Sequence, residues 1–189
     1  FAGGGSLGAV QVGMLRALVE ANVRCDIVVG ASVGAINGAY FAARPDSDGV
    51  EALAGFWLGL GKSDIFPLSW LDTCRGLIKR RGFLLQPAAL NRLLDQALPI
   101  HRIEEATLPL YIVTTDLLSG AETVLSSGEL KQALLASAAI PLVFPCVQIA
   151  DQFLVDGGVS SNTPISTAVA LGATNVVVIP TGVSCALTQ

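Results

Sequence analysis

A chain of 189 residues suits one compact domain with room for a sizeable apolar core. Hydrophobic residues make up 52% and charged residues 14%, against a usual charged share of about 25%, which suits buried strands and an apolar working surface. The net charge of -4 lacks the basic footprint that nucleic acid demands, no apolar run approaches the ~20 residues of a membrane-spanning helix, and no signal peptide is evident.

The expected setting is therefore soluble or peripheral to a membrane, with a cytoplasmic location favoured. The chain starts inside a glycine motif, and the expected organisation is one domain over residues 1–189 whose first strand is cut short. Val10, Met14, Leu15, Leu18 and Val19 then recur at helical spacing, followed by the β-branched run CDIVVG, a strand. A second helix begins directly after Ser32, carries Ile36, Ala39, Tyr40 and Ala43 on one face, and stops before Arg44 and Pro45. From Asp46 to about Gln86, aromatics mix with glycines without one period, so that stretch reads as helical excursions and loops.

Pro87 opens a helix with Leu90, Leu93, Leu94 and Leu98 on one face, and LPLYIVTTDL follows as a strand. ETVLS reads as a strand, Leu130 to Ser137 as a helix, QFLVDG as a strand, Pro164 to Leu171 as a helix closed by Gly172, and NVVVI as a strand. Strands alternating with helices imply an α/β fold, a three-layer α/β/α sandwich with a largely parallel central sheet. Cys25, Cys74, Cys146 and Cys185 are scattered without a C-x-x-C pair and read as reduced, mostly buried thiols, neither zinc ligands nor a disulfide framework.

Gly3, Gly5 and Gly8 fit the G-x-G-x-x-G spacing of dinucleotide-binding loops. Such a site needs an acidic residue at the end of the next strand, where this chain has Gly30, Ala31 and Ser32, and Asp26 sits at the wrong end. A nucleotide-dependent oxidoreductase is disfavoured on that ground. The same strand end spells G-x-S-x-G, Gly30 to Gly34, between a strand and a helix. This is the context of a nucleophile elbow, where small neighbours permit a strained turn and the helix N-terminus favours developing negative charge. Ser32 is read as a nucleophile, with helix capping as the plainer alternative.

A serine hydroxyl needs a base. His101 is the chain's one histidine, in the polar connection LPIHRIEEA, and a Ser-His-Asp esterase through it is the less favoured option. Asp156, at the strand end FLVDGGV, is the better placed base, although Asp-Gly is also common turn chemistry. Partial burial would move its pKa toward the working pH. Asp116, at the end of LYIVTTD, is a further strand-end carboxylate.

GGGSLG near the start, GASVG after the next strand and DGG at 156–158, together with ASAAIPLVFPCVQIADQFLVDGGVSSNTPISTAVALGATNVVVI, resemble the patatin-like phospholipase family over nearly the whole chain. The resemblance implies a patatin-like fold and a Ser-Asp dyad, Ser32 as nucleophile and Asp156 as base, with an oxyanion hole from the backbone N–H groups of Gly4, Gly5 and Ser6. Gly3, Gly8, Gly30, Gly34, Gly157 and Gly158 complete the motifs. It further implies a serine lipid acyl hydrolase acting on phospholipids or other acyl esters, with peripheral membrane contact and without metal or other cofactor. The family pattern has an arginine in the glycine loop where this chain has Leu7, a departure that suits a non-catalytic lipid-binding or regulatory module as the alternative. Phe56, Trp57, Phe66, Trp70 and Leu71 read first as core and second as an acyl pocket or membrane-touching cap. Lys79, Arg80 and Arg81 read first as a solvated turn and second as a contact for anionic headgroups.

Overall fold

The computed structural model of the protein describes residues 1–60 and 88–182. A 3-10 turn (Gly5–Gly8) leads into α1 (Ala9–Glu20), β1 (Val28–Ala31), α2 (Val33–Ala43), α3 (Ser47–Gly59) and α4 (Ala88–Ala97). A second 3-10 turn (Ile103–Glu105) precedes β2 (Leu110–Asp116), β3 (Glu122–Leu125), α5 (Leu130–Ser137), β4 (Val147–Ile149) and β5 (Gln152–Asp156). The short α6 (Gly158–Ser161) and α7 (Ile165–Ala170) follow.

Side chains on a strand alternate between its two faces, and here the alternation separates two cores. Val28, Leu110 and Ile112 face the larger one, where they pack with Leu15 of α1, Ile36 and Tyr40 of α2, Leu53 of α3, Leu94 of α4 and Leu134 of α5. Val29, Ala31 and Val113 face the smaller one, against Ala168 of α7. Helices thus cover both faces, and the fold is the expected α/β sandwich. Residues 33–42 of α2 are buried all round, so this helix runs through the protein interior instead of presenting one apolar face.

β2 is central. Ile112 and Val113 pair with both β1 and β3, which therefore occupy opposite edges of β2. Thr114 and Thr115 pair with both β3 and β5, so β5 continues along the edge that β1 leaves. β1 runs parallel to β2 and ends with Ala31 opposite Val113, whereas β5 runs antiparallel and ends with Asp156 opposite Thr114. The C-terminal ends of β1 and β5 consequently meet head to head at adjacent positions of one edge.

The sheet is mixed where a largely parallel one is expected. β1 and β2 are parallel, and the first residues extend that side, since the Phe1 amine donates to Val29 O at 2.8 Å and Ala31 N–H to Phe1 O at 3.3 Å. The β2–β3, β2–β5 and β4–β5 pairs are antiparallel. For β2–β3 and β4–β5 the physical reason is connection length: five residues join β2 to β3 and two join β4 to β5, too short for a crossover. Gly120 (φ 72°) and Ala150 (φ 51°) take the left-handed conformations that such tight turns require.

Two further expectations are corrected, and the helical excursion expected after Asp46 is made specific. NVVVI forms no strand, and Val176, Val177 and Val178 are exposed; the run meets the fold through Ile179, whose carbonyl accepts from Ala2 N–H at 3.0 Å. The region after Asp46 holds a regular helix, α3, whose N-terminus is capped by Asp46 Oδ1 accepting Gly49 N–H at 2.8 Å. Cys25 and Cys146 are exposed, because each stands in a loop ahead of a strand. Cys74, Cys185, Phe66, Trp70, Leu71, Lys79, Arg80 and Arg81 lie outside the described residues.

Candidate active site

The turn from β1 into α2 is possible only with glycines beside Ser32. A Cβ on Gly30 would stand 2.5 Å from Gly34 O and 2.7 Å from Ala35 Cα, and one on Gly34 would stand 2.5 Å from Ala2 O. Both glycines serve close backbone approach. Ser32 itself adopts φ 55° and ψ −129°, a left-handed conformation that costs an L-residue about 1–3 kcal/mol and persists only where the surroundings impose it. Its side chain makes no capping bond to α2. Instead Ser32 Oγ donates to Asp156 Oδ2 at 2.7 Å, and both residues are buried, 7% and 5% exposed.

Asp156 is held by the turn that follows it. Its Oδ1 accepts Gly158 N–H at 2.6 Å, and Thr115 Oγ1 donates to its backbone carbonyl at 2.9 Å. Gly157 lies so close to the Val113 carbonyl that a Cβ there would collide with it, which explains Asp-Gly-Gly at this strand end. Burial pushes the Asp156 carboxyl above its ordinary value, opposed in part by the hydrogen bonds from Ser32 and Gly158.

The glycine loop lies against the same point. A Cβ on Gly3 would sit 3.1 Å from Ser32 Cβ and 2.5 Å from Asn162 Oδ1. Gly3 is fixed by its N–H donating to Asn162 O at 2.9 Å and by Thr181 Oγ1 donating to its carbonyl at 2.7 Å. Gly4 (φ 159°) and Gly5 (φ 56°) then turn the chain into α1. Among the described residues, the N–H groups of Gly4, Gly5 and Ser6 have no acceptor, although Leu7 N–H returns to Gly4 O at 3.2 Å. Leu7 points to solvent, 56% exposed.

Beneath the loop is a buried polar network that sequence reasoning missed. Asn37 Nδ2 donates to Gly8 O at 2.9 Å and to Gln11 Oε1 at 2.8 Å, while Asn37 Oδ1 accepts from Trp57 Nε1 at 2.9 Å. Gln11 Nε2 donates to Ala2 O at 2.9 Å and Ile179 O at 2.8 Å. Gln11 and Asn37 are fully buried, so every one of these bonds replaces a lost contact with water. Gly8 packs on Val33 and Trp57, and Trp57 with its neighbour Phe56, tilted against Tyr40 at 5.2 Å between ring centres, packs half-buried against the core.

The other two candidate bases are placed elsewhere. Asp116 closes the β2–β3 turn, where Oδ1 accepts from Ser119 N–H at 2.8 Å and Ser119 Oγ at 2.6 Å, and the Ser119 hydroxyl holds its carboxyl below the ordinary value. His101 is exposed, with its carbonyl accepting Leu130 N–H at 2.8 Å at the start of α5. Ser137, beside Ser32, is the last residue of that helix, which puts about 10 Å between its two ends. Among the described residues, no group of three or more His, Cys, Asp or Glu could hold a metal ion, and no helix is long and apolar enough to cross a membrane. A cavity of about 460 Å³ lies between the start of β1 and residues 171–179, and neither Ser32 nor Asp156 lines it.

With a buried serine on a strained turn, a hydrogen-bonded carboxylate and a loop whose N–H groups have no acceptor among the described residues, the arrangement has the parts of acyl transfer. The family model described as patatin-like phospholipase matches residues 1–169. A putative patatin-like phospholipase domain-containing protein of Caenorhabditis elegans is 31% identical over 186 residues, 97% of this chain and 16% of that protein. Patatin-like phospholipase domain-containing protein 7 of Rattus norvegicus is 31% identical over 182 residues, 95% and 13% of the two chains. Neuropathy target esterase sws of Drosophila melanogaster is 27% identical over 182 residues, 95% and 12%. The chain thus spans only 12% to 16% of the length of these relatives. Among solved structures, VipD from Legionella pneumophila superposes with a TM-score of 0.61 at 17% identity, covering 86% of this chain and 46% of that one, a likeness of fold.

Proposed function

This chain belongs to the patatin-like phospholipase family, and we propose that it is a serine lipid acyl hydrolase, with Ser32 as nucleophile and Asp156 as its base. The observation that carries the reading is the 2.7 Å hydrogen bond from Ser32 Oγ to Asp156 Oδ2, made by a serine whose backbone is strained and whose side chain caps nothing. The family and the relatives named as phospholipase-domain proteins supply the substrate class, a phospholipid or other acyl ester.

In the first half-reaction Asp156 takes the Ser32 proton as Oγ attacks the ester carbonyl. Negative charge gathers on the carbonyl oxygen, and the N–H groups of Gly4, Gly5 and Ser6 stabilise it; losing one such donor typically costs ~10²- to 10³-fold in rate. Collapse of the tetrahedral species breaks the ester C–O bond, and Asp156 returns the proton to the departing alcohol. In the second half-reaction Asp156 takes a proton from water, the resulting nucleophile attacks the Ser32 acyl ester, and the fatty acid leaves as Ser32 recovers its proton. A buried carboxylate suits this part, because burial raises its pKa and so strengthens it as a base.

Fatty-acid release from a panel of phospholipids, lysophospholipids, triglycerides and short esters tests the reading, together with labelling of Ser32 by a serine-reactive phosphonate. Release by the native chain and its loss in Ser32→Ala are the expected results. Absence of both release and labelling would favour a non-catalytic lipid-binding module.

A further inference from the structure

Ser137 takes no part in the chemistry above, yet it touches both halves of the site. Its side chain is fully buried, with no path to a substrate. Its Oγ accepts Ser32 N–H at 2.9 Å and donates its own hydrogen to Val113 O at 2.6 Å. Val113 is the residue that pairs with Ala31 at the end of β1, so the hydroxyl spans the gap that opens where β1 leaves the sheet. Its backbone carbonyl accepts Gly157 N–H at 3.2 Å, and two residues on, Ala139 O accepts Asp156 N–H at 3.0 Å. The end of α5 therefore holds the main chain of Ser32 on one side and of Asp156 and Gly157 on the other.

The left-handed turn at Ser32 gives this arrangement its purpose. With φ at 55°, the Ser32 N–H leaves the course of β1 and would be a buried, unpaired donor without Ser137 Oγ. We propose that Ser137 is a positioning residue, which holds the strained Ser32 backbone and sets the separation of Ser32 from Asp156. This inference rests on the reading of Ser32 as the nucleophile. Ser32 N–H is thereby committed to Ser137 and is not available to a substrate oxygen.

The test compares the native chain with Ser137→Ala, which removes the hydroxyl and leaves space, and Ser137→Cys, which fills that space with a larger atom that is a weaker donor and acceptor. Three quantities are read: hydrogen exchange at the Ser32 amide, the rate of phosphonate labelling at Ser32, and kcat and KM for an ester substrate. In Ser137→Ala the Ser32 amide should exchange at least about 10-fold faster. Labelling and kcat should fall about 10²-fold with KM nearly unchanged, since a small misplacement of the reacting group acts on the chemical step. Ser137→Cys should fall between the two. A Ser32 amide as protected in Ser137→Ala as in the native chain overturns the proposal, and so does a raised KM with unchanged kcat and labelling. A native chain that fails to label at Ser32 overturns the nucleophile reading instead, and the amide exchange then still decides whether Ser137 holds that backbone.

Discussion

Ser32 and Asp156, 124 positions apart in sequence, share a 2.7 Å hydrogen bond because β1 and β5 end head to head on one edge of β2. One strand arrives parallel to β2 and the other antiparallel, so both C-terminal ends open at the same place. A wholly parallel sheet would deliver two strand ends only on neighbouring strands, about 4.8 Å apart and separated by a crossover. The antiparallel entry of β5 is therefore what brings a strand-end carboxylate into hydrogen-bonding reach of a strand-end serine.

From that pairing, Ser32→Ala and Asp156→Asn should each reduce ester hydrolysis by about 10³-fold or more, as removal of one member of a nucleophile-base pair does elsewhere. His101→Ala should leave the rate within about 2-fold, given an exposed side chain at the far end of α5. Steady-state rates on one soluble ester decide both, with circular dichroism to show that each variant is folded. Equal damage from His101→Ala and Ser32→Ala would replace the dyad with a triad.

Asp156 should also leave its mark on pH dependence. Burial raises its pKa above 3.8, so the folded state holds this proton more tightly than the unfolded chain does. Its contribution to stability is then fully present below pH 3.8 and is lost as pH rises through the raised value. Asp156→Asn should abolish that part of the pH dependence in chemical denaturation and be neutral or stabilising near pH 7. Activity runs the other way, because the base works as the carboxylate: kcat/KM should fall as pH drops through the raised value. An acid limb with its midpoint at or below 3.8 would contradict the effect of burial.

What was legible in the sequence was what is local. Gly30, Ser32 and Gly34 disclose a strand-to-helix turn because they recur at a fixed short spacing, and Asp156 with its glycines does the same, although the atoms that crowd Gly34 and Gly157 come from Ala2 and Val113, far away in sequence. Ser137 is not legible: a lone serine at the end of a helix has no pattern, and its partners Ser32 and Val113 come from the turn after β1 and from β2. Gln11 and Asn37 look like polar positions of ordinary amphipathic helices, yet α2 is buried on every side and turns Asn37 inward. Strand direction was legible only where the links are too short for a crossover, at 117–121 and 150–151, whereas the antiparallel entry of β5 beside β2 joins segments about 35 positions apart and leaves no local pattern.

The network under the glycine loop should be costly to break. Asn37→Leu keeps the branching at Cγ but leaves Trp57 Nε1–H, Gly8 O and Gln11 Oε1 without their partner. Each buried polar group so orphaned costs about 1–3 kcal/mol. Urea denaturation should show a loss of that order or larger, and hydrolysis should fall in the surviving folded protein, because Gly8 anchors the loop that carries Gly4, Gly5 and Ser6. A variant as stable as the native chain would mean that water reaches these groups.

Two glycine substitutions of the same kind should have opposite signs. Gly30→Ala places a methyl group 2.5 Å from Gly34 O and 2.7 Å from Ala35 Cα, backbone atoms that cannot rotate away, so overpacking of about 1–3 kcal/mol or more is expected. Gly13, exposed in the middle of α1, has nothing within 4 Å of an added Cβ, and its φ lies outside the left-handed region. Gly13→Ala should stabilise the chain by roughly 0.5–1 kcal/mol by reducing the freedom lost on folding. Paired thermal melts read both changes, and a Gly30→Ala variant that melts with the native chain would mean that the turn around Ser32 is looser than its contacts require.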